Sequence, residues 1–209
     1  MPATHVKGSW LSDRASVLLG TPGVHHERAV FPSRGTMPTL WPGTGGHNVD
    51  LLDRLLEHDR WATSQLLEKC QLLTDAQLDE EFDIGHRTLR GTIEHLIFNI
   101  EAWSALMLAT PMEPASPDRS LAALTSRYER AENAFVTLAR RLRDEGRLDK
   151  TFTDAFDGPM RFGGGIVHVV LHNEGHRVEM IHILARLGQP DIEVDHGLWD
   201  FVERGIGPE

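Results

Sequence analysis

Two histidines four residues apart carry the strongest chemical signal in the chain: His172 and His176, in the run His168-Val-Val-Leu-His172-Asn-Glu-Gly-His176-Arg177. At about 100° per residue such a pair shares one helix face, with Cβ atoms ~5–6 Å apart. Both imidazoles can then reach one ion at ~2.0–2.1 Å. Val169, Met180, Ile183 and Leu187 fall on the same face, so the rings look inward. An unsatisfied ring nitrogen there costs ~1–3 kcal/mol. The spacing leaves two outcomes open, a metal site or a pair of hydrogen-bonded core histidines. His95, in Thr92-Ile-Glu-His95-Leu-Ile-Phe-Asn99 and beside Gly91 and Ala102, offers a third imidazole from a second helix whose small neighbours leave room for an ion. Three histidines with one open position form the arrangement of a catalytic metal.

Other side chains have weaker claims. His58 lies on the partly inward side of an earlier helix, near Leu51, Leu55 and Ala62. There it could be a fourth ligand, a general base or hydrogen-bond donor, or a hydrogen-bonded core residue. His168 precedes His172 by four residues, a drift of about 40° from the stripe; packing or support of a ligand ring suits it. Glu179, three residues beyond His176, either orients a ligand imidazole or is a solvated carboxylate. His86, His182 and His196 have no nameable partner, and the adjacent His25 and His26 point apart. Cys70 reads as a small buried hydrophobe, and Gly163-Gly164-Gly165 as a flexible helix entry. Nucleophile-elbow, HExxH, phosphate-loop and dinucleotide patterns are absent.

These residues need helices to hold them. Residues 1–46 contain seven Gly and five Pro, the composition of an irregular extension. From residue 47 a helical domain begins. Leu51, Leu52, Leu55, Leu56, Ala62, Leu66 and Leu67 predict a helix capped by Asn48 or Asp50 and running to about Leu72. Thr74-Asp75 opens a short turn, and Asp83 to His86 reads as loop. A second long helix starts near Thr88 and stops before Pro111. Ser120 caps a third that Gly146 closes. Residues 151–162 make a turn or short hairpin at best. The His172 helix runs from about Ile166 to Leu187, and a last one over Gly197 to Glu203. The fold class is all-α, a four-helix bundle.

Composition narrows the function. With 31 acidic against 21 basic residues, a net charge of −10 disfavours nucleic acid, whose phosphates need clustered Lys and Arg. No segment approaches a membrane span, and no signal-peptide pattern opens the chain. A single cysteine fits a reducing cytoplasm.

Taken together, four segments resemble the DinB-like superfamily, the damage-inducible, YfiT-related group. They are Leu-Leu-Glu-His58-Asp-Arg-Trp61-Ala; Leu89-Arg-Gly-Thr-Ile-Glu-His95 with Trp103 two turns on; the His168–Arg177 run; and Gly197-Leu-Trp199-Asp-Phe. The resemblance covers roughly residues 47 to 204. It implies a bundle with up-down-down-up connectivity, often dimeric, and places metal ligands on His95, His172 and His176, with zinc or nickel the usual ion. Relatives include S-transferases and isomerases that use thiols such as bacillithiol or mycothiol. This chain has His58 where an aromatic is common and Glu179 where Gln is frequent, and residues 1–46 match nothing in the family. The expectation is a cytoplasmic, metal-dependent thiol S-transferase acting on an electrophilic small molecule in detoxification or stress response. As a homodimer it would take neither nucleic acid nor membrane as partner, with His58 as base or hydrogen-bond donor. The alternatives are a hydrolase using metal-activated water and a non-catalytic, metal-stabilised binding module.

Overall fold

Asp50 is the first residue described by the computed structural model, which covers residues 50–155 and 157–203. The expected boundary at residues 46 and 47, the Gly/Pro-rich extension, His25 and His26 lie outside the described residues. Helix α1 (Leu51–Cys70) is capped by the Asp50 carboxylate, which accepts from the Asp53 amide at 2.9 Å. Thr74 and Gln77 form a reciprocal capping box on the one-turn α2 (Asp75–Leu78). Thr88 caps α3 (Leu89–Leu108), which ends at Ala109 in the left-handed conformation, two residues before Pro111. Ser120 caps α4 (Leu121–Asp144). Strands β1 (Thr151–Thr153) and β2 (Pro159–Arg161) pair antiparallel, with Phe152 opposite Met160. Helices α5 (Phe162–Arg186) and α6 (His196–Glu203) complete the described chain.

The glycine run differs from expectation. Gly163, Gly164 and Gly165 are not a flexible entry but the first turn of α5, which begins at Phe162. Tertiary contacts override the low helix propensity of glycine. Phe162 is buried, its amide donates to the Lys150 carbonyl, and the Gly163 amide donates to the Leu148 carbonyl. A Cβ at Gly165 would stand 3.1 Å from the Phe152 ring and 3.5 Å from the Met107 sulfur. The missing side chain lets α5 approach the hairpin and α3 closely.

Side-chain pairs fix the direction of each helix. Arg140 reaches Asp53 at 2.7 Å while Arg60 bonds Asn133, so α1 and α4 are antiparallel. Asn173 donates to Asp59 at 2.9 Å and Arg177 to Thr63 at 3.2 Å, so α1 and α5 are parallel. Arg119 clasps Glu94 and Arg127 clasps Glu101, which makes α3 and α4 parallel. His95 meets His176 while Trp103 meets His168, so α3 and α5 are antiparallel. The order is up-down-down-up, with α1, α5, α3 and α4 succeeding one another around the bundle.

Leu56, Leu66, Ile97, Ile100, Phe135, Val169 and Ile183 are among the residues that fill the centre. A polar layer crosses it: Asp59, Thr63, Glu132, Asn173 and Arg177 are all buried between α1, α4 and α5. No helix among the described residues is long and apolar enough to cross a membrane.

Candidate metal centre

Helices α3 and α5 meet along a ladder of i, i+4 side chains. His95 and His176 form one rung, with ring centroids 4.8 Å apart, and Trp103 and His168 another at 4.5 Å. His172 lies between, 4.5 Å from the His176 ring and 5.3 Å from the His95 ring. The packing thus brings His95, His172 and His176 to one place from the two faces that periodicity marked.

A fourth ring arrives from the loop before α3. His86 stacks on His95 at 3.9 Å and lies 5.2 Å from His176. One ring nitrogen from each of His86, His95 and His176 lies within 4.8 Å of the other two. His86, which the sequence left without a partner, joins this cluster, and His172 stands beside it. Loop geometry delivers His86. Gly85 and Arg87 both have positive φ (45° and 69°), and the Phe82 amide donates to the Arg87 carbonyl at 2.7 Å, closing the loop over His86. Periodicity carries no signal for a loop histidine; its position just before the Thr88 cap is the sequence feature that points to it.

Glu179 sits against this loop. Its Oε2 is 2.9 Å from His176 Nδ1, so the carboxylate accepts from Nδ1–H and leaves Nε2 free to ligate. Gly85 makes the space, because a Cβ there would collide with the Glu179 carboxylate. Burial pushes the Glu179 carboxyl up, and the nearby His86 and His95 pull it back.

Desolvation, reinforced by the neighbouring imidazoles, pulls His95, His172 and His176 down to about 4. The rings are therefore neutral at pH 7, with lone pairs available. His172 Nδ1 is buried with no hydrogen-bond partner among the described residues. A tetrahedral ion with bonds near 2.05 Å needs nitrogens about 3.4 Å apart, so the set would close by roughly an ångström to hold one. Neutral imidazoles suit zinc, nickel and copper. The residues fit a divalent ion of that group.

His168 packs on Trp103 and lies 5.6 Å from the His172 ring. His58 is placed elsewhere. It is buried under the C-terminal segment, its ring neighbours are Trp61, His196 and Trp199, and its Nε2 is 2.9 Å from the Val194 carbonyl. A carbonyl only accepts, so Nε2 carries the proton and is committed to the fold. Among the described residues His58 has no ring contact with His95, His172 or His176. Cys70 is fully buried and its thiol is pushed up to about 12 by that burial, so it supplies no thiolate.

A bundle of up-down-down-up connectivity with histidines gathered between its second and fourth long helices defines the class of this protein. Residues 47–204 match the model of the DinB family, and the chain belongs to that family. Among solved structures it is similar to a DinB-like protein from Bacillus cereus ATCC 10987, at 22% sequence identity. The match covers 66% of this chain and 95% of that one, with a TM-score of 0.49. None of the curated proteins matches the chain.

Proposed function

We propose that the protein binds one divalent cation, zinc or nickel, at His95 and His176 with His86 and His172 completing the set, and catalyses metal-dependent transfer of a small thiol to an electrophilic substrate. The convergence within 4.8 Å of one ring nitrogen each from His86, His95 and His176 carries the reading. When bound, such a cation stabilises the thiolate form of a thiol held beside it. The chain's own residues supply the rest. Glu179 holds His176 by its Nδ1, and the loop around Gly85 holds His86. Trp103, His168 and the half-exposed Phe98 provide apolar and aromatic surface next to the rings. Since Cys70 is buried and protonated, the thiol comes from outside the chain; bacillithiol and mycothiol are the candidates that family resemblance suggests.

Metal analysis of the purified full chain is expected to give about one ion per chain, lost in His176→Ala. Turnover of monochlorobimane is expected with a bacterial thiol and the metal, and with neither alone. Retention of the ion by His176→Ala overturns the site. Metal-dependent hydrolysis of esters or amides without any thiol-dependent turnover replaces the transferase by a hydrolase.

A further inference from the structure

Between the two contacts that set the register of α3 and α5 lies an unmatched rung. His95 meets His176, and Trp103 meets His168. Asn99 is one helical turn from both His95 and Trp103, and His172 is one turn from both His176 and His168. In an antiparallel pair, equal spacing sets Asn99 and His172 opposite each other at the middle level. Each carries a buried polar atom with no hydrogen-bond partner among the described residues, Nδ2 of Asn99 and Nδ1 of His172. Asn99 is only 5% exposed, so water does not readily satisfy it. One hydrogen bond relieves both atoms.

We infer that the Asn99 amide is the hydrogen-bond partner of His172 Nδ1 and fixes the orientation and tautomer of that ring. Rotation about the terminal torsions of the two side chains makes the bond. A primary amide suits the role because it donates through nitrogen or, turned over, accepts through oxygen. While Nε2 carries the proton, Nδ1 accepts from the amide N–H. When Nε2 serves a divalent cation, Nδ1 carries the proton and donates to the amide oxygen. Asn99 is thus a positioning residue, the counterpart on α3 of Glu179 acting on His176. Only the cation-bound half rests on the metal site proposed above.

The test reads the ring nitrogens of His172 by long-range proton–nitrogen correlation NMR on the full chain at neutral pH. The signals are assigned by their loss in His172→Gln, and Zn2+ binding is followed by calorimetry. In the metal-free wild type, His172 is expected as a single Nε2–H tautomer, switching to Nδ1–H when Zn2+ is added. Asn99→Ala is expected to mix the tautomers and weaken Zn2+ binding by about 10–100-fold. Asn99→Asp, which can only accept, is expected to hold Nδ1–H with and without Zn2+ and to keep wild-type affinity or better. Identical His172 signals in the metal-free wild type, Asn99→Ala and Asn99→Asp overturn the inference, whatever the metal does. Failure of wild type to bind Zn2+ overturns the cation-bound half and the metal site proposed above, while the metal-free tautomer still decides the Asn99 contact.

Discussion

Glycine 85 shows how one missing side chain holds a site together. Its φ of +45° already strains any other residue, and a Cβ would collide with the Glu179 carboxylate. That carboxylate is the mobile end of a flexible side chain, so Gly85→Ala should fold, with a loss of about 1–2 kcal/mol for the left-handed conformation. The larger effect falls on His176, which loses its oriented acceptor. Zn2+ affinity, measured by calorimetry, is expected to drop about 10–100-fold in Gly85→Ala and equally in Glu179→Ala. The double variant should be no worse than either single, because both remove the same hydrogen bond; additive losses would separate Gly85 from Glu179. The sequence marked His95, His172, His176 and Glu179 because helical period brings them to common faces. His86 escaped because it sits on a loop, where no period relates it to the other three. His58 shares an inward face with α1 core residues, but period alone does not say which neighbour that face meets; the C-terminal segment takes it.

At the level of elements, Arg177 is the strongest tie between α1 and α5. It is 1% exposed and its guanidinium bonds the Asp59 carboxylate and carbonyl, Thr63 Oγ1 and Glu174. Removing it strands the Asp59 carboxylate in the core. Arg177→Leu is expected to cost about 3–5 kcal/mol in urea unfolding. Asp59→Leu with Arg177→Met should recover much of that, because no uncompensated charge remains. Equal losses in the single and double variants would assign the cost to packing instead. Helix starts were legible, since Asp50, Thr74, Thr88 and Ser120 each act as a local cap whose oxygen accepts from its own first turn. The start of α5 was not. Three glycines locally favour a break, and what makes them helical is distant: Leu148, Lys150 and Phe152. Helix direction was equally hidden in the periodicity, which gives faces without polarity. The up-down-down-up expectation came from family resemblance and is fixed by pairs such as Arg127 with Glu101.

At the scale of the molecule, two sets of buried groups among the described residues oppose each other in their response to pH. His95, His172 and His176 titrate near 4 in the fold and near 6.5 when unfolded. Between those values the unfolded chain binds more protons, so stability of the metal-free chain rises with pH up to about 6.5 and is lost as pH falls toward 4. Glu132 acts the other way. It is fully buried on α4 with both carboxylate oxygens unpartnered among the described residues, and desolvation, helped by the nearby Asp59 charge, pushes it up to about 8. Between 4.5 and 8 the folded chain keeps a proton that the unfolded chain has released, so stability falls as pH rises through that window, by about 1.4 kcal/mol per pH unit. Of these four groups, three rising terms outweigh one falling term below 6.5, and only the falling term of Glu132 remains above it. These groups therefore place the stability maximum of the metal-free protein near pH 6.5. From there to pH 8 Glu132 removes about 2 kcal/mol, a drop of roughly 4–8 °C in Tm for a domain of this size. Glu132→Gln keeps the shape and abolishes the titration. Its Tm, read by calorimetry in chelator, should stay level from pH 6.5 to 8 while that of wild type declines. Parallel declines in the two proteins would show that Glu132 is not the group that sets the alkaline limb.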